Sequence, residues 1–125
     1  MTNHKNEDYK PLVSIIMSCF NGEKYLSRAL ESIIDQEYHN WELIFWDNLS
    51  NDGSKKVFEK FSDQRFKYFK SENHKILYDA RNDALKQCNG KYIAFLDTDD
   101  YWLENRLSSQ VSIMEDNSSI GLVYG

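Results

Sequence analysis

Between residues 11 and 20 the chain reads PLVSIIMSCF, apolar and β-branched at most positions. An apolar run of that length predicts a strand buried on both faces, as in parallel sheets. The period then changes. In NGEKYLSRALESIIDQ (21–36), Tyr25/Leu26, Ala29/Leu30 and Ile33/Ile34 recur at helical spacing and form one apolar stripe. Asn21 stands where a helix N-cap belongs, and Glu23 falls in the first turn, where the helix dipole favours an acid. WELIFWD (41–47) is a second apolar strand, NLSNDGS (48–54) a turn by composition, and a short helix from about Lys55 to Phe61 follows. RFKYFKS (65–71) alternates, which predicts a third and more exposed strand.

DARNDALKQCNG (79–90) carries Ala80, Ala84, Leu85 and Cys88 on one helical face, with Asp79 as its expected cap and Asn89-Gly90 as its stop. KYIAFLD (91–97) is a fourth strand. WLENRLSSQVSIMEDN (102–117) is helical, with Leu103, Leu107, Val111 and Met114 in register, and IGLVYG (120–125) starts a fifth strand. Strands alternating with helices predict an α/β fold: a Rossmann-like, mainly parallel sheet with helices on both faces and right-handed crossovers. Ligands of such folds bind outside the carboxyl ends of the strands. Those ends are SCFN after the first strand, WDNLSNDGS at the second and LDTDD at the fourth. Polar, chemistry-bearing residues therefore collect at one edge of the sheet.

Composition narrows the classes. The 125 residues, 41% hydrophobic and 28% charged, amount to one domain with a real core. Net charge is −5 and no Lys/Arg run occurs, which argues against a nucleic-acid partner. Cys19 and Cys88 lack metal-ligand spacing and read as buried free thiols in a reducing compartment. No apolar run reaches the roughly 18 residues of a membrane span, and the polar start MTNHKNEDYK is no secretory signal. Residues 1–10 are expected to be a disordered leader, residues 11–125 the domain, and the location cytoplasmic.

Asp97, Asp99 and Asp100 crowd three carboxylates into four positions after the fourth strand. Held close and half-buried, they require protonation, a Lys or Arg, or a divalent cation. Carboxylate oxygens suit Mg²⁺ or Mn²⁺, whose shells substrate phosphates often complete. An acidic turn capping the next helix explains the spacing alone equally well. The polar residues at the other two strand ends favour the metal. Neither a G-x-G-x-x-G fingerprint nor a P-loop is present, so neutralising a phosphate would fall mainly to that metal.

The runs VSIIMSCFNGEKYLSRALESIIDQEYHNWELIFWDNLSNDGS and ARNDALKQCNGKYIAFLDTDDYW, together covering residues 12–102, resemble the N-terminal half of family 2 inverting glycosyltransferases of the GT-A fold. The resemblance implies transfer of a sugar from a nucleotide-diphospho-sugar, with a UDP-sugar favoured, to an acceptor hydroxyl, assisted by Mg²⁺ or Mn²⁺. By analogy the process is cell-surface polysaccharide or lipopolysaccharide synthesis, with a glycan or lipid-linked acceptor at the inner face of the membrane. Ser18, Cys19 and Phe20 would lie along the nucleotide. Asp47 and Asn48 would approach base and ribose, Asp52 would support their loop, and Arg81 would sit near the base or diphosphate. Asp97 would face ribose or metal, and Asp99 would be a metal ligand with Asp100 as its rival.

Three departures stand out. The strand-two loop, commonly Asp-Asp-Gly-Ser, is DNLS here, so Asn48 can donate as well as accept and Leu49 replaces a glycine. HKILYD (74–79) replaces a glycine-containing turn. The chain stops at LVYG, before the half that carries the family's acceptor site and catalytic base. The expectation is a fragment that binds donor and lacks the base, with an open sheet edge at 120–125 able to pair with a second copy. Two rival readings stay open: a metal-dependent nucleotidyltransferase, and a non-catalytic binding module whose acidic edge is only a cap.

Overall fold

The computed structural model describes residues 10–116. Eight elements alternate along the described residues: β1 (Val13–Cys19), α1 (Glu23–Ile34), β2 (Trp41–Asp47), α2 (Ser54–Glu59), β3 (Phe66–Lys70), α3 (Leu77–Leu85), β4 (Tyr92–Phe95) and α4 (Arg106–Asp116). The four strands form one parallel sheet in the order β3-β2-β1-β4. The expected α/β architecture is therefore present over these residues. The fifth strand expected at 120–125 and the leader at 1–9 lie outside the described residues.

Strand alternation explains why helices cover both faces. Val13, Ile15, Met17 and Cys19 of β1, with Trp41, Leu43 and Phe45 of β2, enter a core shared with Leu26, Ala29, Leu30 and Ile33 of α1. Phe58, Leu107 and Val111 close that core from α2 and α4. The intervening residues Ile16 and Ile44 point the other way, to Ala84 of α3, with Trp46, Phe69 and Ile93 around them. Each fully buried aromatic or aliphatic side chain contributes roughly 1.5–3 kcal/mol of burial. β3 is half-exposed, as its alternation predicts.

The boundaries and caps differ from expectation in instructive places. Asn21 does not cap α1; Gly22 does, without a side-chain bond. Asn21 takes a left-handed φ of 53°, and its Oδ1 accepts the amide of Asn51 instead. Asp79 does not cap α3, because the helix starts at Leu77 with Ile76 before it. α4 begins at Arg106 rather than Trp102, and Leu103 is 70% exposed rather than in the stripe. Tyr25 and Leu85, both expected in apolar stripes, are also exposed. Only Leu107, Val111 and Met114 of the α4 pattern are buried.

A buried polar knot ties the sheet together at the end opposite the polar loops. The Glu42 carboxylate accepts Ser14 Oγ at 2.6 Å, Lys67 Nζ at 2.7 Å and the Asn89 amide at 2.7 Å. Burial alone would raise this carboxyl, but these donors outweigh it and bring it down to about 2. Ser14 Oγ in turn accepts the Gly90 amide at 2.7 Å. A Cβ on Gly90 would lie 2.6 Å from the Ser14 nitrogen, so the α3–β4 turn can approach β1 only through a glycine.

Candidate nucleotide and metal site

β1, β2 and β4 end side by side, and the loops that follow them are laced into one another. The Asn48 amide donates to Cys19 O at 2.7 Å. The Asn21 amide reaches Ser50 Oγ at 2.9 Å, the Gly22 amide Ser54 Oγ at 3.0 Å, and the Glu23 amide Asp52 Oδ2 at 3.2 Å. Asp52 Oδ1 also accepts the Ser54 amide and hydroxyl, at 2.9 and 2.6 Å. Burial would raise the Asp52 carboxyl, yet the Ser54 and Glu23 donors hold it below the usual carboxylate range. Asp52 thus braces the loop after β2.

Asp47 and Asn48 are both buried. Asp47 accepts the Ser50 amide at 2.8 Å and the hydroxyl of Tyr68, whose own ionisation is pushed upward by burial and by this carboxylate. Asn48 faces Lys75: its Oδ1 accepts the Lys75 amide at 2.8 Å while its Nδ2 donates to the Lys75 carbonyl. Leu49 holds a φ of 62°. A left-handed backbone of this kind costs a non-glycine residue about 1–2 kcal/mol. Cys19 is buried, which pushes its thiol up and makes it a poor nucleophile.

The acidic segment is a tight turn just past β4, closed by the Asp100 amide donating to Asp97 O at 3.1 Å. All three carboxylates are exposed rather than half-buried, so the crowding argument loses its premise of burial. The turn sends them to different places. Asp97 and Asp99 line a pocket of about 550 Å³ together with Ser18, Phe20 and Gly22. Asp97 and Asp100 line a neighbouring pocket of about 370 Å³ with Arg81, Trp102 and Arg106. Arg81 is the fifth residue of α3, not at its N-terminus, and its Nη2 donates to Asp97 Oδ1 at 3.2 Å.

A metal on this turn can be tested against the donors at hand. Among the described residues no group of three or more His, Cys, Asp and Glu side chains could hold an ion. The first pocket offers two carboxylates and the Ser18 hydroxyl, whose oxygen is buried and without a hydrogen-bond partner. An all-oxygen, incomplete set fits a hard cation of the Mg²⁺ type, which takes one or two carboxylates and completes its shell with phosphates.

Several residues that position the site have weak or no sequence signals. Gly22 lets α1 approach the acidic turn, since a Cβ there would lie 2.7 Å from Thr98 Oγ1. Arg28 Nη2 donates to Asp99 O at 3.5 Å, and its guanidinium lies 4.6 Å from the Tyr101 ring centroid. Gln36 is buried; its Nε2 donates to Leu103 O at 2.7 Å and its Oε1 accepts the Leu107 amide at 3.0 Å. Ser32 Oγ accepts the Trp102 amide at 3.1 Å. The last turn of α1 and the residues just after it thereby clamp the segment that leaves the acidic turn. The His74 ring stands roughly perpendicular to that of Phe20, with the two centroids 4.4 Å apart.

Residues 14–125 match the model of glycosyl transferase family 2. The chain belongs to that family. It is 44% identical over 119 residues to UDP-Glc:alpha-D-GlcNAc-diphosphoundecaprenol beta-1,3-glucosyltransferase WfgD of Escherichia coli, covering 95% of this chain and 46% of WfgD. It is 34% identical over 113 residues to a putative teichuronic acid biosynthesis glycosyltransferase, TuaG, of Bacillus subtilis, covering 89% of this chain and 45% of TuaG. The chain thus spans less than half the length of these relatives. Residues 1–349 of S. aureus TarS, solved in complex with UDP, superpose with a TM-score of 0.79 at 27% identity over 85% of this chain and 32% of that 1–349 chain. The Pyrobaculum calidifontis mannosyltransferase PcManGT, solved with GDP-Man and Mn²⁺, gives 0.79 at 23% identity over 88% of this chain and 34% of PcManGT, a likeness of fold. The sheet is a GT-A sheet. Among the described residues no helix is long and apolar enough to cross a membrane.

Proposed function

We propose that residues 11–125 form the donor-binding part of a metal-dependent, inverting glycosyltransferase that uses a nucleotide-diphospho-sugar. One observation carries this reading. The pocket at the ends of β1 and β4 combines the orphaned Ser18 hydroxyl, the exposed Phe20 ring and the carboxylates of Asp97 and Asp99. That is an aromatic surface for a base beside oxygen ligands for a cation. WfgD carries UDP-Glc in its name and TarS has been solved with UDP-GlcNAc, which favours a UDP-sugar. The names of WfgD and TuaG favour a lipid-linked or cell-surface glycan acceptor. The free thiols of Cys19 and Cys88 suit a reducing, cytoplasmic setting.

Phe20 would stack against the base, with Ser18 and Cys19 along the nucleotide. Asp47 and Asn48 would act on base and ribose through the loop they hold, which Asp52 braces. Asp99 would be the principal metal ligand and Asp97 its neighbour toward the ribose, with Arg81 orienting the Asp97 carboxylate. Asp100 would be the secondary acid. Bound there with the donor diphosphate, Mg²⁺ or Mn²⁺ would supply Lewis-acid stabilisation of the leaving nucleoside diphosphate. An inverting transfer also needs a base for the acceptor proton. None of the described residues is assigned that role.

The test is calorimetric titration of UDP and GDP, with and without Mn²⁺, on the wild type and Asp99→Ala. Mn²⁺-dependent binding that disappears in the variant supports the reading. Binding of equal strength in both proteins would sink it.

A further inference from the structure

Phe20 is half exposed and lines the nucleotide pocket, yet a ring at a strand end with open space around it has several rotamers to choose from. Something must hold it if it is to present one face to a base. The ring it touches is that of His74, in a T-shaped pair with centroids 4.4 Å apart. His74 sits in the loop between β3 and α3 and is itself exposed, so its place depends on the loop. The loop in turn is pinned at the adjacent residue. Asn48, buried at the end of β2, grips both the amide and the carbonyl of Lys75 with its two amide atoms. Only a side chain with one donor and one acceptor on the same planar group can do this; an aspartate would face the Lys75 carbonyl with a second acceptor. Ser71 Oγ donates to Asn73 O at 2.6 Å and steadies the other side of the turn.

We infer that Asn48 and His74 are positioning residues for nucleobase recognition: Asn48 locks the loop through Lys75, and the loop's His74 braces Phe20 in the pocket. This rests on the donor-binding reading above. Asn48 then acts on the base through two intermediaries rather than by touching it. Base affinity becomes sensitive to a loop that lies outside the pocket lining.

The experiment has two arms on the 125-residue chain. Hydrogen exchange of wild type and Asn48→Asp reads the lock: the Lys75 amide should exchange at least about tenfold faster in the variant, about 1.4 kcal/mol of lost protection. Unchanged exchange there would overturn the lock. Titration with Mn²⁺ and either UDP or inorganic pyrophosphate reads the brace. His74→Ala should weaken UDP several-fold and leave pyrophosphate unchanged, and His74→Phe, which keeps an aromatic edge, should restore UDP. Equal weakening by both His74 variants, or parallel loss of pyrophosphate, would overturn the brace. A wild type that binds neither UDP nor pyrophosphate would overturn the donor reading and the brace with it, while the exchange result would still decide the lock.

Discussion

The Arg81 guanidinium of α3 donates to the Asp97 carboxylate across 3.2 Å, with the two side chains 37% and 62% exposed. The pair joins α3 to the acidic turn at the border of two pockets. Exposed pairs of this kind contribute only about 0–1 kcal/mol to stability. Arg81→Ala should therefore leave the denaturant midpoint nearly unchanged and weaken Mn²⁺-dependent UDP binding. A large loss of stability would show the pair to be structural.

Asp99 and Asp100 are adjacent in sequence but line different pockets. Asp99→Ala should abolish or weaken Mn²⁺-dependent UDP binding by about 10–100-fold, the range expected for a lost charge-assisted contact. Asp100→Ala should change it by less than about threefold. Calorimetry on the two variants side by side checks the assignment, and the reverse order would move the metal to the other pocket.

The Glu42 knot predicts a pH dependence. Its carboxyl is near 2 when folded, against an ordinary 4.5. A depressed carboxyl stabilises the fold above the ordinary value and loses that contribution as pH falls. Unfolding free energy should therefore stay level from pH 7 to about 5 and decline from about pH 4.5 toward 2. Glu42→Gln should be less stable at pH 7 by about 2–3 kcal/mol and should lose part of the acid slope. Urea titrations of both proteins across that range measure it.

Leu49 holds a left-handed backbone that glycine adopts freely. Leu49→Gly relieves about 1–2 kcal/mol of strain and gives back about 0.4–1 kcal/mol through a looser unfolded chain. It should fall within about 1 kcal/mol of wild type. Leu49→Val should be clearly worse, because a β-branched residue resists this conformation more. Denaturant midpoints of the two variants separate these outcomes.

Gln36→Leu keeps the volume of the side chain and strands Leu103 O and the Leu107 amide. Buried groups left unpaired cost about 1–3 kcal/mol each. A loss of about 2–4 kcal/mol is expected, accompanied by faster hydrogen exchange in residues 97–107.

What was legible in the sequence follows from period and burial. The long apolar runs of β1 and β2 and the stripes of α1 announced themselves because continuous burial and helical repeat leave few alternatives. The convergence of three strand ends followed from parallel topology alone. Caps were less legible. Asn21 looked like a cap because Asn is a good one, but the same side chain also suits a left-handed turn, and the bond to Asn51 decided it. The acidic turn is exposed because the strand ends at Phe95, two residues before Asp97. The roles of Gln36, His74 and Gly22 depend on partners distant in the sequence, as when Gln36 reaches Leu103 and Leu107, and no local pattern encodes such pairs. Two of the departures from the family pattern, Asn48 and the HKIL stretch, are in contact with each other through Lys75.

The close approach of Gly22 to Thr98 divides the site into parts with different freedom to change. A single added carbon at position 22 would press on Thr98 and displace the turn that carries Asp97 and Asp99. The first turn of α1 and the acidic turn therefore form one rigid piece, and variation in either is tolerated only if the other moves with it. The loops at 48–54 and 72–76 hang on side-chain bonds instead, and such bonds can be exchanged one at a time. A lineage built on this frame would keep the acidic turn and the first turn of α1 constant and vary what its pocket accepts by rewriting those two loops.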